Sequence, residues 1–463
     1  MPFPSQSLGR TFAIAALAAS LAAPAHGATT MRMPYTSFTL PNGLRVLVHE
    51  DHSLPLVTVN TWFHVGSSDE RPGRTGFAHL FEHIMFMGSQ HVPTGEFDRL
   101  LEAAGCTNNG STTTDRTNYY EDGPANALEL MLWLDADRMG HLLPEITPDK
   151  LDIQRGVVKN ERRQSYENQP YGLAQENLAS RLYPPNHPYN WIPIGSMADL
   201  TAATLDDVKG FFTTYYAPNN ATMVIAGDVT PARAKELVEK YFKDIPRGPA
   251  ITRPTVPPVS LIDDVHHTLE DKVQLPRVYD AWHSVKAFAP GDGALDAVAE
   301  ILAGGKSSRL FQRLVYEMEI ATSVSAYQNG GKLDGKFVVS ATAKPGHDLG
   351  QLQKVIDDEI KRLADQGPTE RELGRFRNAM EAQFIDVLEH VGGFSGRANQ
   401  LNYYAEYAGE PDYMEQDMER YRKITAADVK QAAKTYLADA HRVVLSVVPQ
   451  GRTELAAAPV AAK

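Results

Sequence analysis

A single cysteine, Cys106, leaves no partner for an internal disulfide, so stability must come from the core rather than from cross-links. Basic residues are also scarce: 45 Lys and Arg stand against 57 Asp and Glu, a formal net charge of −12. No strongly basic face is available to neutralise phosphates, which excludes nucleic acid as the main partner. Beyond the extreme N-terminus no apolar run is long enough to cross a bilayer. What remains is ordinary for a globular protein, with 43% hydrophobic and 22% charged residues. A length of 463 residues accommodates about two to four domains.

The N-terminus has the pattern of a secretory signal peptide. Arg10 precedes an apolar, alanine-rich run over 11–23, and Pro24-Ala25-His26-Gly27-Ala28 places small residues where a signal peptidase cuts. Residues 1–27 are therefore expected to be removed, leaving no membrane span. A cysteine-poor exported chain suits a bacterial periplasm.

Residues 35–65 alternate apolar and polar, with a Pro41-Asn42-Gly43 turn, and predict strands. Helices are expected over 128–139, 149–167 and 205–216, and a strand over 219–228. Thr107-Asn108-Asn109-Gly110-Ser111-Thr112, continuing to Tyr120, is polar and threonine-rich. It reads as one extended strand with little to bury on one face, a sheet edge open to another chain. Prolines 246, 249, 254, 257 and 258 mark a linker.

The second half echoes the first. Asp207-Val208-Lys209 and Asp428-Val429-Lys430 each precede a tyrosine by the same interval and are each followed by a β-rich run. The expected fold class is α+β, with two homologous domains that each pack helices on an antiparallel-rich sheet. The expected boundaries are 28–245, a linker over 246–258, 259–450, and a tail over 451–463.

The chemistry concentrates in His79-Leu80-Phe81-Glu82-His83. On a helix, positions i and i+4 share a face, so His79 and His83 can bind one metal ion from one side, with Glu82 beside it. H-x-x-E-H is the inverse of the commoner zinc-peptidase motif. Alone it is a weak signal, since two helix histidines can be ordinary polar residues. Its setting on a strongly apolar helix raises its weight, because unpaired polar groups are costly there. The second half has Asp296-Ala297-Val298-Ala299-Glu300 in the comparable place and no such motif. His91, His141, His187, His266, His267 and His441 show no defensible ligand spacing and are expected to be surface or structural residues.

With its flanks Gly76-Phe77-Ala78 and Met85-Phe86-Met87-Gly88, the motif resembles the pitrilysin/insulinase family of inverted-zincin peptidases, which includes the mitochondrial processing peptidases. The resemblance extends through Leu40-Pro41-Asn42-Gly43-Leu44, Thr117-Asn118-Tyr119-Tyr120, Gly156-Val157-Val158-Lys159-Asn160-Glu161 and Tyr216-Ala217-Pro218-Asn219-Asn220. It covers essentially the whole mature chain and implies one half of a clam-shell. It further implies one Zn2+ per chain, held by His79, His83 and Glu161, with Glu82 as the general base of a zinc endopeptidase. A peptide substrate is implied to add as a strand along Asn109, Gly110, Ser111 and Thr112.

Two departures stand out. Gln154 occupies a position that is usually acidic, which implies a weaker outer layer around the metal ligands. Val315 and Thr322 fall where the family places an arginine and, seven residues on, a tyrosine that reach the substrate. A chain lacking that pair is expected to need a homologous partner subunit to supply it. The competing expectation is a non-catalytic scaffold subunit that keeps the fold.

Overall fold

The computed structural model describes residues 31–253 and 255–457, so the expected signal peptide and the end of the C-terminal tail lie outside the described residues. Two sheets organise the chain. The first is built from β1 (Thr36–Thr39), β2 (Arg45–Glu50), β3 (Leu56–Phe63), β4 (Thr107–Thr112), β5 (Thr117–Pro124) and β6 (Ala221–Gly227), in the order β1-β2-β6-β3-β5-β4. The second contains β7 (Val265–Asp271), β8 (Arg277–Ser284), β9 (Ala321–Gly330), β10 (Gly335–Ala343) and β11 (Val443–Pro449), in the order β7-β11-β8-β10-β9.

Leaving out β1, the two orders are the same. β2 and β6 pair in parallel, as do β7 and β11, and the other pairings are antiparallel in both sheets. The expected fold class, two homologous α+β domains with antiparallel-rich sheets, is the one found. The repeat reaches the helix caps. Thr204 and Asp207 form a capping box before the helix Leu205–Tyr215, and Thr425 and Asp428 form the same box before Ala426–Ala433.

One expectation needs correcting. The polar stretch 107–120 is not a single strand but a hairpin, β4 against β5, turning at Thr113-Thr114-Asp115-Arg116. That turn has no glycine or proline to announce it. It is held from outside instead: Ser67 and Ser68 N–H donate to Thr113 O at 3.2 Å and Thr114 O at 2.8 Å. Within the turn the Thr113 hydroxyl accepts from Arg116 N at 3.2 Å.

Each sheet has two buried faces. In the first, Val46, Val48, Val57, Val59, Met223 and Ile225 pack on the helices of their own half. Leu47, Val224 and Ala226 point the other way, into a core shared with the second half, where the helix Arg397–Tyr407 covers β3 and β6. Asn402 of that helix donates to Asn60 O at 2.9 Å, and Trp62 donates to Asn399 at 3.0 Å. The second sheet mirrors this. Val278, Trp282 and Phe337 face its own helices, whereas Tyr279, Ala281, Val443 and Leu445 are covered by Ala174, Leu178 and Leu182 of the helix Ala174–Leu182 from the first half. The two halves thus exchange one helix each.

Candidate metal centre

Helix α1 (Phe77–Ile84) carries the motif. Its apolar face buries Leu80, Phe81 and Ile84. The Phe81 ring packs on Phe211, Phe212 and Tyr216 with centroids 5.5, 6.0 and 5.1 Å apart. The N-cap is Gly76, at φ 89°, and it has no side chain to cap with. Glu70 does that work from the preceding loop: its carboxylate accepts from Gly76 N at 2.9 Å and Ala78 N at 2.8 Å. Nothing in the sequence pattern singled out Glu70. Three further helices matter here: α2 (Glu96–Ala103), α3 (Leu128–His141) and α4 (Pro148–Arg162).

α4 begins on a Thr147 cap that accepts from Lys150 N, with Pro148 at its first position. Leu151, Gln154, Val158 and Arg162 form its buried stripe, leaving Glu161 at the margin facing α1. Arg162 pins the C-terminal end through Gly195 O at 2.6 Å and Glu176 at 2.8 Å. The helix then widens into a π-turn over Arg163–Glu167, within the longer helix expected there.

These elements bring the ligand candidates together. His79 Nε2 and His83 Nε2 are 3.4 Å apart, and Glu161 Oε2 lies 3.6 Å from the first and 3.2 Å from the second. A tetrahedral zinc with bonds of about 2.0–2.1 Å needs its ligand atoms about 3.3 Å apart. The donor set and its spacing therefore fit zinc, with a fourth corner open. Burial pushes the His79 imidazole down to about 4 against the pull of Glu161, so its ring is neutral at neutral pH. The hydrogen bond from His83 holds the Glu161 carboxyl below its usual range. Both shifts leave the donors in the form that binds a cation.

Glu82 is buried beside them, and burial raises its carboxyl above the ordinary range despite a 2.6 Å hydrogen bond from the Thr112 hydroxyl. Gly110 packs so closely on it that a Cβ there would lie 3.0 Å from Glu82 Cγ. The structure therefore divides the four edge-strand candidates. Gly110 and Thr112 face the carboxylate. Ser111 turns to Asn118, its hydroxyl donating to Oδ1 at 2.6 Å, and the Asn109 amide oxygen accepts from Gly110 N at 2.8 Å.

β4 is the outermost strand of its sheet. Thr113 N donates to Arg116 O, so by alternation the 111/118 and 109/120 pairs are the hydrogen-bonded ones. The backbone groups of Gly110 and Thr112 then point to the open edge.

Gln154 does not reach the ligands; its amide lies against Met87 Sδ. His79 Nδ1 is buried and has no hydrogen-bond partner among the described residues. In the second half the helix Asp292–Ala303 matches α1, down to a left-handed N-cap glycine, Gly291 at φ 99°. Counting from the two caps, Ala294, Ala297 and Val298 replace His79, Glu82 and His83, and all three are buried in the core.

Known proteins give the chain its family. A family model described as Insulinase (Peptidase family M16) matches residues 45–189, and one described as Peptidase M16 inactive domain matches 202–380. The chain is 30% identical over 420 residues to zinc protease PqqE of Helicobacter pylori, covering 90% of this chain and 93% of that protein. The chain belongs to peptidase family M16. A probable mitochondrial-processing peptidase subunit beta of Arabidopsis thaliana is 25% identical to this M16 chain over 424 residues, 89% of this chain and 78% of that one. The crystal structure of a protease from Helicobacter pylori superposes with a TM-score of 0.83 at 28% identity, covering 90% of this chain and 100% of that one. The periplasmic protease PqqL from Escherichia coli shares the fold at a TM-score of 0.76 and 17% identity; the match covers 92% of this chain but 49% of that one. The M16 architecture here is half of a clam-shell, and its relatives include proteins named zinc proteases.

The second half places the two positions singled out in the sequence as follows. Val315 is half-buried in a π-turn, Phe311–Glu317, and Thr322, the second residue of β9, donates its hydroxyl to Thr342 O at 3.3 Å. Nearby Arg313 is committed to Glu359 at 2.8 Å, and Tyr316 is exposed.

Proposed function

We propose that this chain is the metal-bearing subunit of an exported zinc endopeptidase that cuts peptides or unfolded segments. The observation that carries the proposal is the triangle of His79, His83 and Glu161, with sides of 3.2–3.6 Å, set against a buried Glu82 and an open strand edge. Zinc held there, one per chain, would supply a Lewis acid for the scissile carbonyl and acidify a water. Glu82 would take a proton at its carboxylate and return it to the leaving amine. The Thr112 hydroxyl occupies Oε2 and orients the group. An extended peptide would pair with the backbone of Gly110 and Thr112 after displacing the Asn109 side chain from Gly110 N.

The chain does not offer the arginine and tyrosine of the family at Val315 and Thr322, and Arg313 is spent on Glu359. We therefore assign that pair to a homologous partner subunit. The periplasm is the proposed site of action, supported by the N-terminal pattern and by the likeness to PqqL, a periplasmic protease. Glu82→Gln should keep zinc and lose hydrolysis of a quenched fluorescent peptide, and full turnover in that variant would sink the mechanism. Full-rate cleavage by the purified chain alone would remove the partner. Stoichiometric zinc without hydrolysis, even with the partner added, would favour a scaffold role.

A further inference from the structure

We propose that His91, Asp137 and His141 form a second divalent-cation site, of the kind that takes zinc or another borderline ion, on the surface of the first half. Asp137 and His141 sit one turn apart on α3, and His91 comes from the loop that follows α1. One ligand atom from each lies within 4.8 Å of the other two. Two imidazoles and a carboxylate are the donors such ions select. The site shares no ligand with the His79 triangle and does not depend on the function proposed above.

Three observations carry the proposal. First, the Asp137 carboxylate is buried, its side chain 3% exposed, and its only ion-pair partner among the described residues is His91, with Nδ1 2.5 Å from Oδ1. Its other contacts are neutral donors, the Ser89 hydroxyl and His91 N. No lysine or arginine among the described residues neutralises this buried carboxylate, which leaves it able to ligate a cation. Second, both rings stand edge to face with centroids 5.1 Å apart and both are exposed, so water can complete a coordination shell. Third, the loop is already shaped. Ser89 N donates to Val92 O at 2.8 Å, Thr94 Oγ1 to Met87 O at 2.7 Å, and Gln90 N to His141 O at 3.2 Å. A tetrahedral ion needs its ligand atoms about 3.3 Å apart, between the present His91–Asp137 hydrogen bond of 2.5 Å and the 4.8 Å that bounds the cluster.

An ion here would clamp the segment that leaves the histidine helix onto the end of α3. Spacing did hold a trace of the site: Asp137 and His141 are four apart on a helix, and only the third ligand is remote.

The test is zinc stoichiometry of the mature chain, stripped and re-equilibrated, read by elemental analysis. The wild type should hold about one equivalent more than a His91→Ala/His141→Ala variant. That variant should keep the ion at His79, His83 and Glu161. A His79→Ala/His83→Ala variant should still bind about one equivalent, and zinc should raise its melting temperature. With cobalt as probe, its visible absorption should vanish when His91 and His141 are also removed. Equal zinc content in wild type and His91→Ala/His141→Ala overturns the proposal and leaves Asp137 simply hydrogen-bonded to His91. Loss of all zinc only when His79 and His83 are removed overturns it too, without touching the first site.

Discussion

Replacing Gly110 by alanine should separate the positioning of the base from metal binding. The backbone there is ordinary, so the strain is steric. The added Cβ would stand 3.0 Å from Glu82 Cγ, 3.3 Å from Tyr119 Cδ1 and 3.4 Å from Phe86 Cε2. Tyr119 cannot give way: it is fully buried and packs edge-on against Phe63 and Phe86, with centroids 5.9 and 5.7 Å away. The movement falls on Glu82, which must retreat by roughly 0.5–1 Å to reach ordinary contact. Overpacking costs about 1–3 kcal/mol, offset in part by about 0.5–1 kcal/mol because alanine loses less backbone entropy than glycine. The variant should therefore fold. A misplacement approaching 1 Å at a catalytic group costs about 100-fold, so kcat should fall by about 10- to 100-fold. Zinc content should not change, because the new methyl touches none of the three ligands. The assay is peptide hydrolysis with the partner subunit present, alongside zinc analysis. A kcat within about twofold of wild type would refute the placement of Glu82 as the base that limits the reaction.

Glu161→Gln removes the charged ligand and should lower zinc affinity by at least about 100-fold, read by competition with a chromophoric chelator; unchanged affinity would remove Glu161 from the site. Glu70→Gln leaves one of the two amides at the start of α1 without an acceptor, so it should cost about 1–3 kcal/mol in denaturant unfolding; a neutral result would mean Glu70 does not hold the helix. Asp296 is pushed up to about 7 by burial and accepts from the Tyr421 hydroxyl at 2.8 Å. A raised carboxyl contributes stability that is complete below the ordinary carboxylate range and is lost as pH rises through about 7. Asp296→Asn should therefore raise the urea midpoint at pH 8 more than at pH 5, and a pH-independent difference would contradict the assignment.

Much of the first domain was legible because its signals are local. The α1 motif announces itself by a four-residue spacing on an apolar helix, and the repeat by Asp207-Val208-Lys209 and Asp428-Val429-Lys430, each followed by a tyrosine and a β-rich run. Glu161 was not legible from spacing, since 78 residues separate it from His83 and only resemblance connected them. The β4–β5 hairpin was missed because its turn is held by Ser67 and Ser68 from another loop rather than by its own residues. Thr112 was expected to meet substrate through its main chain; that its hydroxyl also donates to Glu82 was not legible, because the two are 30 residues apart and meet only in the fold. The second histidine cluster escaped for a similar reason: His91 has no periodic relation to α3, and only the folded loop delivers it.

The exchange of one helix between the halves has a consequence for any attempt to take the molecule apart. A fragment ending near residue 245 would keep the helix Ala174–Leu182 but lose the sheet it covers, and would bare Leu47, Val224 and Ala226. The complementary fragment would be left with the same two defects. Each piece is then the other's missing ligand, so a protease nick within 246–258 should leave a tightly held pair rather than two free domains. Split chains expressed separately should recover structure only when mixed.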